Sequence, residues 1–299
     1  MNGWRRFLAM VWWFPLVPVV VYIALFYLFL TLFIRCLFTI SPMLVVGNGP
    51  LVGPVTEFAL AFAAIAAMWL VFRFFEKRTL HLSGFDTNKA GVDLAVGFVL
   101  GLVLVAFVVM FDLVCGVYKF AGFNAGFNPI ATLVILFFAA LTEEVIFRGC
   151  IFQLCEKRLG VWPAFAITCL LFGLAHMLND VHGATVGGKL LGCISLMLEA
   201  GIVLNAAFLV RRTLWLPVGL HWAWNFFEGP IFGMPVSGTS LGTPMMIAHL
   251  QGPDVLTGGY FGPEGSVAGV VSGTVGGALM LWYALRKGNV SENNETPQN

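Results

Sequence analysis

Three charged residues stand within six positions of one apolar stretch: Glu143, Glu144 and Arg148 in LTEEVIFRG. A charge inside hydrocarbon costs roughly 2.5–3.5 kcal/mol on insertion, so each one needs a partner, water or a task. On a helix Glu144 and Arg148 are related as i and i+4 with the acid N-terminal, so they meet on one face and neutralise each other. Glu143 points about 100° away and is left free to take and return a proton. Two further stretches carry polar heads at helical spacing. FGLAH puts Phe172 and His176 on one face, and HWAWN does the same for His221 and Asn225. A carboxylate and an imidazole that share a water can draw off its proton, giving a nucleophile for carbonyl attack without a covalent enzyme intermediate. His221 and Asn225 add N–H donors where an oxyanion would form. A histidine alone in a membrane span reads first as a packing residue, and the catalytic reading requires all these groups at one depth. No GxSxG motif is present, and Cys150 has no neighbouring Lys or His in sequence to make it a thiolate. Glu143, His176 and His221 could also hold a divalent metal such as zinc. HExxH is absent, so metal-free water activation and a metal site both stay open.

The elements that must position these groups follow from composition. With 299 residues, 59% hydrophobic and 10% charged, and a mean hydropathy of +0.91, the chain is excluded from the water-soluble globules, and membrane lipid becomes its medium. A formal net charge of +1 gives no polyanion-binding surface and excludes nucleic acid as a partner. The six cysteines lie in or beside apolar runs and read as small hydrophobes. About eight runs are long enough to cross some 30 Å of hydrocarbon as helices: Val11 to Phe38, Gly53 to Phe75, Ala90 to Cys115, Ile130 to Gln153, Val161 to Leu178, Leu190 to Val210, Leu214 to Phe227 and Val267 to Leu285. The seventh is short. None alternates with period 2, so the fold class is all-α, a polytopic membrane helix bundle. The first run follows Trp4, Arg5 and Arg6 and is expected to be a retained anchor.

Alternate ends of the runs differ in basic residues. One side collects Arg5, Arg6, Arg73, Lys77, Arg78, Lys89, Lys157, Arg158, Arg211, Arg212, Arg286 and Lys287, the other Lys119 and Lys189. Both termini are therefore expected in the cytoplasm. Residues 1–287 are expected to form a single transmembrane domain with its motif-bearing core at about 130–227, followed by a disordered polar tail at 288–299. Helical rise places Glu143 and His176 within about 4 Å of one depth, and His221 and Asn225 roughly 12 and 18 Å in from Thr213. The Gly- and Pro-rich stretch from Gly229 to Ser266 reads as a connector, with LTGGYFGPEGS read as irregular chain in preference to an ordered cap. Asp93 and Asp112 are expected to reach the interfaces, and His81, His182 and His249 to sit in exposed loops. Glu199 and Asn205 fall midway along the sixth run, Glu199 either paired or on a cavity wall. Trp222 and Trp224 read as packing residues.

EEVIFR, FGLAH and HWAWN fit EExxxR, FxxxH and HxxxN in that order on separate runs. The set resembles the CPBP family of intramembrane proteases, the CAAX prenyl proteases and bacteriocin-processing enzymes also called the Abi family. The resemblance covers about a third of the chain. It implies an eight-helix bundle around a water-accessible site. In it Glu143 activates water with His176 beside it, His221 and Asn225 hold the oxyanion, and Glu144 and Arg148 support them. It leaves the choice between a glutamate and a metalloprotease mechanism open. The expected activity is endopeptidase cleavage of a membrane-embedded or lipid-anchored peptide in a multi-pass protein of a bacterial inner membrane. A peptide-binding or immunity scaffold, and a transporter using Glu143, His176 and Glu199 as a proton relay, are the competing readings.

Overall fold

Backbone amides in hydrocarbon have no water to bond, so each apolar run closes its own hydrogen bonds as a helix. The computed structural model describes residues 14, 16–44, 46, 51–179, 181 and 183–290. Among the described residues, seven helices are long and apolar enough to cross a membrane: α1 (Val17–Ile40), α2 (Val52–Glu76), α3 (Ala90–Val114), α4 (Pro129–Leu159), α5 (Val161–Leu178), α6 (Val186–Arg211) and α8 (Val267–Arg286). Between the last two lies the shorter α7 (Trp215–Phe226), carried on by a π turn at Phe227–Ile231. The chain is thus an all-α polytopic bundle, and its seventh run is short, as expected.

Local signals start and stop these helices. Asn128 caps α4 by accepting from the Ile130 N–H, with Pro129 in the first turn, and Ser266 caps α8 by accepting from Gly269. Helices α3 and α7 touch backbone to backbone, because a Cβ at Gly97 would overlap the Leu216 carbonyl and one at Gly219 the Leu94 carbonyl. Small residues that permit such approach replace the hydrophobic drive that lipid cannot supply. Helices α4, α6 and α7 each widen into a π turn, at Val145–Phe152, Met197–Gly201 and Phe227–Ile231. Such turns recur at functional sites, and these three adjoin Glu144, contain Glu199 and contain Glu228.

One end of the bundle is tied by ion pairs. Glu76 meets Lys157 at 2.5 Å and Arg158 at 2.6 Å, Arg211 meets Asp93 at 3.1 Å, and Arg212 meets Glu156 at 2.7 Å. Asn289 docks here too, donating to the Val210 carbonyl while its own carbonyl accepts from Arg212. Residues 291–299, the Trp4–Arg5–Arg6 cluster and His182 lie outside the described residues.

At the opposite end a two-stranded antiparallel sheet pairs β1 (Tyr118–Phe123) with β2 (Met246–Leu250), so His249 is an exposed strand residue. His81, also exposed, lies 3.7 Å from Asp86. Asp112 departs from the interfacial expectation. It is fully buried where α3 turns into β1, and neither carboxylate oxygen has a partner.

The stretch after α7 also departs from expectation. Its LTGGYFGPEGS segment is an ordered cap of a one-turn helix (Asp254–Thr257) and two 3₁₀ turns (Gly259–Phe261 and Pro263–Gly265), burying Phe261, Glu264 and Ser266. The glycines that suggested irregular chain are what the tight reversals need: Gly258 and Gly262 adopt φ of 75° and 78°, and Gly192 on α6 leaves room for the Phe261 ring.

Candidate active site

Arg148 organises the centre of the bundle. It is fully buried, as is Glu144, and its planar fork is filled on each side. Its Nη1 donates to Glu144 Oε1 at 3.0 Å and its Nε to Asn205 Oδ1 at 2.9 Å, while Nη2 reaches the Ala200 carbonyl at 3.4 Å. Its guanidinium carbon lies 4.6 Å from the centre of the Phe172 ring. Asn205 in turn donates to the Phe165 carbonyl at 3.1 Å. The charge that is costly in lipid is therefore paired, hydrogen-bonded and stacked, joining α4, α5 and α6.

Glu144 has a second partner. His221 on α7 places Nδ1 2.9 Å from the same Oε1. A carboxylate only accepts, so Nδ1 carries the proton, and Nε2 is turned toward Glu143, 3.9 Å from its Oε2. Glu143 is the less enclosed acid, with 35% of its side chain exposed, and its Oε2 has no hydrogen-bond partner. His176 stands where α5 tightens into a 3₁₀ turn. Its Nδ1 lies 2.8 Å from the Phe172 carbonyl. That oxygen can only accept, so the neutral ring offers Nε2 as an acceptor for a water proton.

Phe172, His176, His221 and Asn225 share a cavity with Glu199, Trp224, Ser237 and Glu264. The space open to water centres is about 20 Å³, room for about one water. The motif residues thus fall into two joined groups. Glu144, Arg148 and His221 form the ion network, and His176, His221 and Asn225 surround the cavity with Phe172. Glu143 does not line that cavity and reaches it only through the His221 ring. A larger cavity of about 530 Å³ lies between strand β2 and the cap and contains none of these residues.

Glu143, His176 and His221 do not fit a zinc ion: among the described residues no three His, Cys, Asp or Glu side chains converge closely enough to hold one. Glu199 is on the cavity wall. Trp222 is a packing residue, donating to the Leu133 carbonyl and meeting Phe98 and Phe137 edge to face. Trp224 lines the cavity and donates to Glu228. Two acids at the cavity were not read from the sequence. Glu228 falls just past the apolar run that ends at Phe227, although it lies one turn beyond Asn225. Glu264 gave no spacing signal, because only the fold of the cap brings it inward.

Residues 124–227 match a family model described as Rce1-like, type II CAAX prenyl endopeptidase Rce1-like. The matched segment contains all three motifs and ends before Glu228 and Glu264. No curated protein and no solved structure matches the chain.

Proposed function

Proceeding from the likeness of residues 124–227 to the Rce1-like endopeptidases, we propose that this integral membrane protein hydrolyses a peptide bond of a membrane-embedded or lipid-anchored substrate. The observation that carries the reading is the His221 ring held between two acids, Nδ1 on Glu144 at 2.9 Å and Nε2 facing Glu143 at 3.9 Å. Glu144, fixed by Arg148, holds the ring in one tautomer and orientation, and a general base works only when so oriented. A water in the cavity, aligned by His176 Nε2, gives a proton to His221 Nε2, which faces Glu143 and shares that proton with it. The hydroxide oxygen adds to the scissile carbonyl carbon, and the negative oxygen that forms is met by N–H donors of His221 and Asn225. Collapse of this adduct breaks the C–N bond, and the leaving nitrogen takes back the proton drawn from water, giving a carboxylic acid and an amine and resetting the base. No step calls on a metal.

The basic residues gathered at one end of the bundle support an orientation with both termini cytoplasmic, as in a multi-pass protein of a bacterial inner membrane. Prenylated CAAX peptides are one candidate substrate class, on the strength of the family description. The test is mass spectrometry of membrane peptides from cells carrying the intact chain or Glu143→Gln. The reading expects new peptide termini only with the intact chain. Identical peptide pools would reject it and leave a peptide-binding scaffold or a proton-coupled transporter to be tested.

A further inference from the structure

The catalytic cavity has room for about one water, so a peptide chain that comes to it must be seated elsewhere. The cavity of about 530 Å³ beside β2 has the size of an ordinary ligand site, about 300–1,000 Å³. One layer of chain separates the two. Met234 and Pro235 face the larger cavity, and Ser237, two residues on, faces the catalytic one. In the cap Tyr260 and Glu264 divide in the same way.

The larger cavity runs along an open strand edge. Register pairs Tyr118 with Leu250, Lys119 with His249 and Phe120 with Ala248, and the Gln251 N–H donates to the Val117 carbonyl at 2.9 Å. Bonded and unbonded pairs alternate along an antiparallel ladder. Lys119 and His249 therefore bond each other, and the main-chain N–H and C=O groups of Ala248 and Leu250 point away from β1. Both residues line the cavity, and among the described residues no main-chain group of another segment bonds them. Such an edge is a template for one more strand.

The facing walls are largely main chain as well. Gly229, Gly233, Gly242, Gly252 and Gly259 line the cavity, and glycine lets a ligand approach the backbone closely. A Cβ on Gly242 would meet nothing within 4 Å, so the space beside it is open. Asp254 is the one Asp, Glu, Lys or Arg among the described lining residues, and it favours a basic over an acidic side chain on an incoming chain.

We propose that this cavity is a peptide-binding site in which the substrate adds to β2 as a third strand, bonding Ala248 and Leu250 through its main chain. That the occupant is the substrate rests on the hydrolase reading. Main-chain bonds supply the affinity, and every second side chain of the added strand enters the cavity. A chain held there lies one wall away from His176 and His221.

The experiment uses the full chain in phosphatidylcholine nanodiscs with a dodecapeptide of alternating Val and Lys, labelled with ¹³C at its carbonyls. Wild type, Ser240→Trp, Leu250→Pro and Glu143→Gln are compared. Ser240 is an exposed residue of the cavity wall, so an indole there fills the cavity and leaves the fold intact. Leu250→Pro removes an outward N–H and leaves the Lys119–His249 bonds in place. Isotope-edited infrared spectra read the conformation of the bound peptide, and calorimetry reads its affinity. Wild type and Glu143→Gln should bind equally, with the labelled band at the position of a hydrogen-bonded strand. Ser240→Trp and Leu250→Pro should each bind about tenfold or more weakly. In cleavage of membrane peptides Ser240→Trp should raise KM and leave kcat near that of wild type. Equal affinity in Ser240→Trp and wild type, or a bound label without the strand band, would overturn the inference. No binding by wild type, as where lipid or a second copy of the chain fills the edge, would overturn it too. Failure of the hydrolase reading shows separately, as identical membrane-peptide pools from wild type and Glu143→Gln while both bind the labelled strand.

Discussion

Replacing Glu144 and Arg148 singly and together separates what their pair does for folding from what it does for His221. Glu144→Leu leaves a fully buried guanidinium with Asn205 Oδ1 and main-chain carbonyls but no counter-charge. Arg148→Met leaves a buried carboxylate whose remaining donor is His221. Removing one partner of a buried pair costs about 3–5 kcal/mol, so each single change should destabilise by that much. In the double variant no buried charge remains. Its main debts are Asn205 Oδ1 deprived of the Arg148 donor and His221 Nδ1 deprived of the Glu144 acceptor, about 1–3 kcal/mol each. The double variant should therefore fall short of the summed single costs by about 3 kcal/mol or more. Unfolding titrations in mixed micelles, read by helical content, give the four free energies. Cleavage should be absent in Glu144→Leu and equally absent in the double variant, since both lose the acceptor that orients His221 Nδ1. Additive costs, single costs below about 1 kcal/mol, or activity returning with stability in the double variant would refute the reasoning.

Asn205→Leu should cost about 1–3 kcal/mol by orphaning Arg148 Nε, measured in the same titration. Gly97→Ala should cost about 1–3 kcal/mol or more, because the added methyl meets the Leu216 carbonyl across the α3–α7 contact; thermal unfolding in detergent reads this. Glu156→Gln, at a partly exposed pair with Arg212, should change stability by no more than about 1 kcal/mol in that assay. Because the Glu264 carboxyl is held above its usual range, its contribution is full below the unfolded value, about 4.3, and is lost as pH rises through the folded one. The wild-type melting temperature should therefore fall toward alkaline pH with a steeper slope than that of Glu264→Gln.

The bundle was legible because hydrocarbon permits few backbone solutions: run length and apolar content were enough to mark the helices, including the short seventh. The Glu144–Arg148 pair was legible for a similar reason, since i,i+4 spacing is geometry internal to one helix. The Glu144–His221 and Arg148–Asn205 contacts join helices far apart in sequence, and only packing reveals them. The π turns widen the helices where Glu199 and Glu228 sit, a departure that regular periodicity does not announce. Glycine and proline mark an ordered tight reversal and an irregular connector with the same composition, so the sequence hides the cap and Glu264 with it. Asp112 was read as interfacial from its position near a helix end, but the chain folds over that end as it enters β1.

The most direct measurement of the central claim is cleavage by purified protein in liposomes, in water enriched in ¹⁸O, with wild type, Glu143→Gln and His221→Ala compared at equal folded concentration. The account predicts a cut peptide whose new carboxyl carries solvent oxygen with wild type, and none above background with either variant. Equal cleavage by the three proteins, or none by wild type on any membrane-anchored peptide supplied, would contradict it.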